Sequence, residues 1–167
     1  CWSLVGSEMC IRDRDMIINP GEINLDEALM ICQETLKKAR EEDFMPLTVT
    51  VVDVAGVVRA TLAEEGSGPT RAHVAYAKAS SCLAFGASTN TLRSVLEDQP
   101  RLDKAFTGMQ MLAGGNLIPT PGGLLIQKDG KNIGAIGVSG DRSDQDEICA
   151  VAGIESAGLT VGHSSAT

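Results

Sequence analysis

Between residues 24 and 42 apolar side chains return at helical spacing. Leu25, Leu29, Cys32, Leu36 and Ala39 share one face, while Lys37, Lys38, Arg40, Glu41 and Glu42 belong to solvent. That period predicts an amphipathic helix. Asn24 is placed as its N-cap, Glu27 stands at the capping-box position, and Ile23 with Ala28 can form the hydrophobic staple. From Leu47 the pattern changes to β-branched runs on either side of Asp53-Val54-Ala55-Gly56. Asp53 can bond its own turn backbone and Gly56 can take a positive φ, so an antiparallel hairpin is expected. A second hairpin, "GLLIQKDGKNIGAIGVS", turns at Asp129-Gly130, the strongest short-range signal in the chain.

Between the hairpins, "PTRAHVAYAKASSCLAFG" reads as a helix from a Thr70 N-cap to Gly86, rich in Ala and Ser. Side chains this small let a helix lie close against a sheet or a copy of itself. A short helix over "TNTLRSVLEDQ" and a medium one over "PRLDKAFTGMQMLAG" follow, with Pro100 acceptable at the first helical position. The last helix is expected to begin at Ser143, with Asp146 as its box partner, and to stop at Gly158. The tail "LTVGHSSAT" lacks periodicity, so residues 160–167 are expected to fray. The order α, ββ, α, α, α, ββ, α defines an α+β domain with an antiparallel sheet and flanking helices.

Composition narrows the function classes. The 167 residues suffice for one domain, but only five are aromatic, so little is provided for stacking on nucleobases. A net charge of −8 opposes binding to nucleic acid or an anionic membrane surface. Five scattered cysteines without a C-x-x-C pair indicate neither a zinc ribbon nor a disulfide framework, and reduced thiols point to the cytoplasm. The opening "CWSLVGSEMCIRDR" has neither the apolar core of a secretion signal nor the length of a membrane span. It looks like translated adapter or vector sequence, so residues 1–15 are expected to be a non-native, disordered leader, with the single domain over 16–159.

Candidate chemistry gathers in the second half of the chain. Gly134, Gly137 and Gly140 stand three apart, immediately before Asp141, Asp144, Asp146 and Glu147. In a strand Gly134 and Gly137 point to opposite faces, so they cannot line one phosphate cradle, and no Lys-Ser/Thr pair follows. The acids suit a helix start, where a carboxylate gains about 0.3–1 kcal/mol. A divalent ion held by Asp141, Asp144 and Asp146 is the alternative. Glycine inside a strand costs roughly 0.5–1 kcal/mol relative to alanine, so close approach of a backbone or a flat ligand is implied at Gly122, Gly123 and Gly134. His73, in the first turn of the small-residue helix, is a candidate ligand for haem iron. Lys78 must snorkel or find a carboxylate near residue 146. Cys82, one turn on, is a candidate nucleophile if the ammonium lowers its pKa. His163 lies in the tail, and two histidines without a third ligand make no zinc site.

Taken together, "LDEAL", "VTVVDVAG", "AHVAYAKASSCLAFG", "PGGLLI", "DGKNIGAIGVSG" and "DQDEICAVAG" resemble the GlcG/HbpS-like proteins, which include the carboxy-terminal domain of PduO-type proteins. The resemblance runs from about residue 23 to 158. It implies a profilin-like layered domain with about five antiparallel strands, assembled as a homo-oligomer, and it implies haem as a candidate cofactor. Two positions depart from the family pattern: Ala63 replaces an arginine before Glu64-Glu65-Gly66, and Leu125 replaces a proline after the double glycine. Arg59 or Arg71 are the nearby substitutes for the lost arginine. The expected function is therefore binding of a small or flat ligand, with His73, Lys78, Gly122, Gly123 and Gly134 lining the site and His73 as the axial ligand. The competing expectation is a cofactor-independent enzyme on small hydroxyacid or carbonyl metabolites, using Lys78, Asp146 or Cys82 at a subunit interface.

Overall fold

The computed structural model of the protein describes residues 22–162, so the expected leader and His163 lie outside the described residues. The chain runs α1 (Leu25–Glu41), β1 (Thr48–Asp53), β2 (Val58–Ala63), α2 (Arg71–Phe85), α3 (Thr89–Asp98), α4 (Pro100–Leu112), β3 (Gly123–Lys128), β4 (Lys131–Ser139), α5 (Ser143–Ser156) and β5 (Thr160–Gly162). The five strands form one antiparallel sheet in the order β2-β1-β4-β3-β5. Helices α1 and α5 cover one face, and α2 lies across β1, β4 and β3 on the other.

Local signals account for most boundaries. The Asn24 side chain accepts from the Glu27 N–H at 2.8 Å while Glu27 accepts from the Asn24 N–H at 3.1 Å, completing the capping box. Asp53 Oδ1 accepts from the Ala55 and Val57 N–H groups, each at 2.9 Å, and Gly56 has φ +80°. At the second hairpin Asp129 and Gly130 both take positive φ, as a two-residue type I′ turn requires. Gly86 ends α2 in the left-handed conformation.

Three expectations are corrected. Thr160–Gly162 does not fray but pairs with Leu125–Gln127 as β5, covering what would otherwise be the open edge of β3. The buried stripe of α1 is Ala28, Ile31, Cys32, Thr35 and Ala39, and Leu25 is 55% exposed. That rotation follows from α5, which brings Gly153 directly against Ile31 O and the Thr35 side chain. Neither Thr70 nor Ser143 caps a helix with its side chain; α5 starts after Arg142, also without a side-chain cap.

The main core lies between the sheet and the α1–α5 layer, built on Ile31, Leu47, Val49, Val51, Ile126, Ile136, Val138 and Ile154. Each such side chain contributes about 1.5–3 kcal/mol on burial. A smaller cluster under α2 holds Val52, Ala79, Cys82, Leu125 and Ala135. A third, separate cluster joins α3 and α4 through Leu92, Leu96, Phe106 and Leu117. Leu125 is thus a core residue beneath α2.

Candidate functional site

Where α2 crosses the sheet, backbone meets backbone. A Cβ added at Gly137 would fall inside the Ala75 carbonyl oxygen and 2.9 Å from Ala79 N. At Gly123 it would stand 2.7 Å from Lys78 O, 2.7 Å from Thr89 Cγ2 and 3.0 Å from Cys82 Sγ. Gly134, on the opposite face, closes against Val52 O and Ile23. Gly122, at φ +108°, lies 2.8 Å by the same measure from Lys78 Nζ and 2.9 Å from the Asp146 Cβ. The cleft expected between α2 and the second hairpin is therefore filled by the protein itself, and Gly122, Gly123 and Gly134 serve close packing within the chain.

Lys78 is the centre of that packing. Its ammonium donates to Asp146 Oδ2 at 2.8 Å and to Val138 O at 2.6 Å, while Asp146 Oδ1 accepts from the Asp141 N–H at 3.1 Å. The pair ties α2, β4 and α5 together with each residue only 1–2% exposed. Burial pushes the Lys78 pKa down and the Asp146 pKa up, each against the attraction of the other. Asp146 is not the box partner of Ser143; it points inward. Neither group reaches a substrate from the chain as folded, which removes the direct acid–base role expected for them.

Cys82 is fully buried and burial pushes its thiol up to about 12, opposite to the shift a nucleophile needs. The expected outcome of thiol alkylation on the folded protein is no modification of the Cys82 peptide until denaturant is added, read by mass spectrometry of the digest. Rapid native labelling there would restore the nucleophile reading. Cys32 and Cys149 are likewise buried and unpaired with any disulfide partner. The divalent-ion reading also fails: Asp141 accepts from the Met45 and Arg142 N–H groups, Asp144 faces Arg142, and Asp146 holds Lys78. Among the described residues no group of three His, Cys, Asp or Glu side chains could hold a metal ion.

His73 stands apart from this sealed pair. It is exposed on α2 and edges a depression of about 250 Å³ shared with Thr70, Val74, Ala77, Gln110, Gly115, Leu117 and Ile118. The far wall is set by the turn after α4, where Gly114 and Gly115 both take positive φ and Gln110 Nε2 donates to Leu117 O at 2.8 Å. The walls are mostly apolar, and the imidazole is accessible beside them. Of the two substitute arginines, Arg59 is engaged by Asp53 at 2.6 Å and Glu22 at 3.1 Å, and Arg71 reaches Ser139 Oγ at 3.4 Å.

A second depression, of about 540 Å³, opens between α3 and α5 and is bordered by Asn90, Arg93, Pro121, Arg142 and Glu147. The sequence pattern did not mark it, because its members are contributed by three separate segments. The Glu147 carboxyl is pushed up by partial burial, against the pull of the Gly122 N–H, the Arg93 charge and Asn90.

The architecture is that of a small α+β domain whose single antiparallel sheet is covered by helices on both faces. The chain belongs to the HbpS-like family, described as haem-degrading protein HbpS-like, whose sequence model matches residues 23–155. Similar solved structures include a PduOC:haem complex, 24% identical with a TM-score of 0.73, covering 85% of this chain and 99% of that one. HbpS is 25% identical with a TM-score of 0.68, covering 82% of this chain and 91% of that one. The Klebsiella pneumoniae protein ORFY is 24% identical with a TM-score of 0.72, covering 85% and 97%. No curated protein matches the sequence. No described helix is long and apolar enough to cross a membrane.

Proposed function

We propose that the protein binds haem as a cytoplasmic homo-oligomer, with His73 as the residue that would ligate the iron and the depression beside it as the apolar wall that would hold the group. Membership of the HbpS-like family and the fold shared with the PduOC:haem complex support haem as the ligand class. The observation that carries the choice of residue is the exposed His73 imidazole at the rim of the apolar walls formed by Val74, Ala77, Leu117 and Ile118. Bound haem would supply iron chemistry; this chain would supply the nitrogen ligand and the apolar walls.

The depression, at about 250 Å³, is smaller than the roughly 300–1,000 Å³ of a pocket that buries a drug-sized ligand. A haem seated here is left largely uncovered by one chain, which favours a second copy closing over it. Met111 and Leu112, 80% and 91% exposed at the end of α4, offer the apolar surface for that contact.

Haem titration of the purified protein is expected to give a saturable Soret band, and His73→Ala is expected to weaken binding at least tenfold, about 1.4 kcal/mol. Native mass spectrometry should report bound haem in a species heavier than one chain. No spectral change at excess haem would remove the reading, and an unchanged band in the alanine variant would move the ligand elsewhere.

A further inference from the structure

We propose that the groove between α3 and α5 is a second binding site, for a small zwitterion with an apolar side chain: a free aliphatic α-amino acid. The groove brings together both signs of charge and an apolar wall in a space of about 540 Å³. Two guanidinium groups border it, Arg93 on α3 and Arg142 at the start of α5, with little of their hydrogen-bonding capacity spent. Arg93 donates to Asn90 Oδ1 at 3.0 Å and stands 3.7 Å from Glu97, while Arg142 comes no nearer than 3.4 Å to Asp144. Each guanidinium has five N–H donors, so several remain to grip a carboxylate.

Glu147, on α5 with Arg142, is half-buried, and the Gly122 N–H, the Arg93 charge and the Asn90 side chain all favour its ionised form. Its two oxygens offer about four lone-pair sites, enough to receive an incoming ammonium. Ile148, 49% exposed, lies with Val151 and Pro121 along the remaining wall and would take an aliphatic side chain. A plain carboxylate would meet the arginines but would also face Glu147 and Asp144; a plain amine would meet the reverse. Only a ligand carrying both charges satisfies the arginines and Glu147 together, and that selectivity comes from the mismatched charge as much as from the matched one. His73 takes no part in this groove, so the site stands or falls independently of haem binding.

The test is titration of the full chain with leucine, 4-methylpentanoate and isopentylamine, followed by calorimetry and by amide NMR. The expected result is saturable binding of leucine, at least tenfold tighter than either single-charge analogue. Amide shifts should be confined to the neighbourhoods of Asn90, Pro121 and Ser143–Val151. Glu147→Gln is expected to narrow the gap between leucine and 4-methylpentanoate, and Arg93→Gln, an exposed position, to weaken leucine and 4-methylpentanoate alike. Equal binding of leucine and 4-methylpentanoate, shifts mapping elsewhere, or no saturation by millimolar leucine would each overturn the proposal.

Discussion

Lys78→Met, made alone, is expected to cost about 3–5 kcal/mol of folding stability, because it leaves the Asp146 carboxylate buried with no cation beside it. Methionine fills a similar volume, so the loss is electrostatic and not a cavity effect. The same substitution frees Val138 O, which now accepts from the ammonium at 2.6 Å. Pairing Lys78→Met with Asp146→Leu is expected to recover most of the loss, since replacing both members of a buried ion pair by apolar groups is often neutral or stabilising. Urea denaturation of the two variants beside the parent measures this directly. A single variant within about 1 kcal/mol of the parent, the range of an exposed pair, would show that the interaction is not buried in solution.

The pair also carries a pH signature. Burial is the largest influence on both groups, lowering Lys78 from 10.5 and raising Asp146 from 3.8. A depressed lysine contributes stability that is fully present above 10.5 and lost as pH falls through its folded value. A raised aspartate contributes stability present below 3.8 and lost as pH rises through its folded value. Relative to the apolar double variant, the parent is therefore least favoured at neutral pH and gains toward both extremes.

Gly137→Ala is expected to cost at least the roughly 1–3 kcal/mol of an ordinary overpacked core. The added methyl would enter the Ala75 carbonyl oxygen and approach Ala75 C and Ala79 N at 2.9 Å each. These are backbone atoms of a helix, so no side chain can rotate away, and lifting α2 would pull Lys78 from Asp146. Gly108→Ala in α4 supplies the contrast: nothing lies within 4 Å of its added Cβ, and helix propensity favours alanine by about 1 kcal/mol. Opposite signs of change in melting temperature for the two variants are the expected result. A stable Gly137→Ala protein would mean that α2 does not lie on β4 at this distance.

The elements that could be read from the chain are those whose cause is local. The Asn24–Glu27 capping box, the Asp129-Gly130 turn and the left-handed Gly86 each act within four residues, and each stands as expected. The opposite facing of Gly134 and Gly137 also followed from the strand period alone. β5 was missed because three residues between Leu159 and the tail carry no period, and only the edge of β3 gives them a partner. Two readings stood open for Asp146, because the first turn of α5 suits a cap while Lys78 needed a carboxylate near residue 146, and the structure settles on the second.

Sequence alone determined the order of elements as far as α5, the two hairpin turns, the α+β class and the family resemblance, because backbone preference and side-chain period act over short spans. Tertiary structure alone decided what the glycines face, that Lys78 pairs with Asp146 instead of snorkelling, that Cys82 is sealed, and that Asn90, Arg93, Pro121, Arg142 and Glu147 border one groove. Those outcomes depend on how helices distant in sequence settle on the sheet, as in the hydrogen bond from Lys78 to Val138, 60 residues away. A strand glycine makes room; whether a ligand or the chain's own helix takes that room is settled by packing.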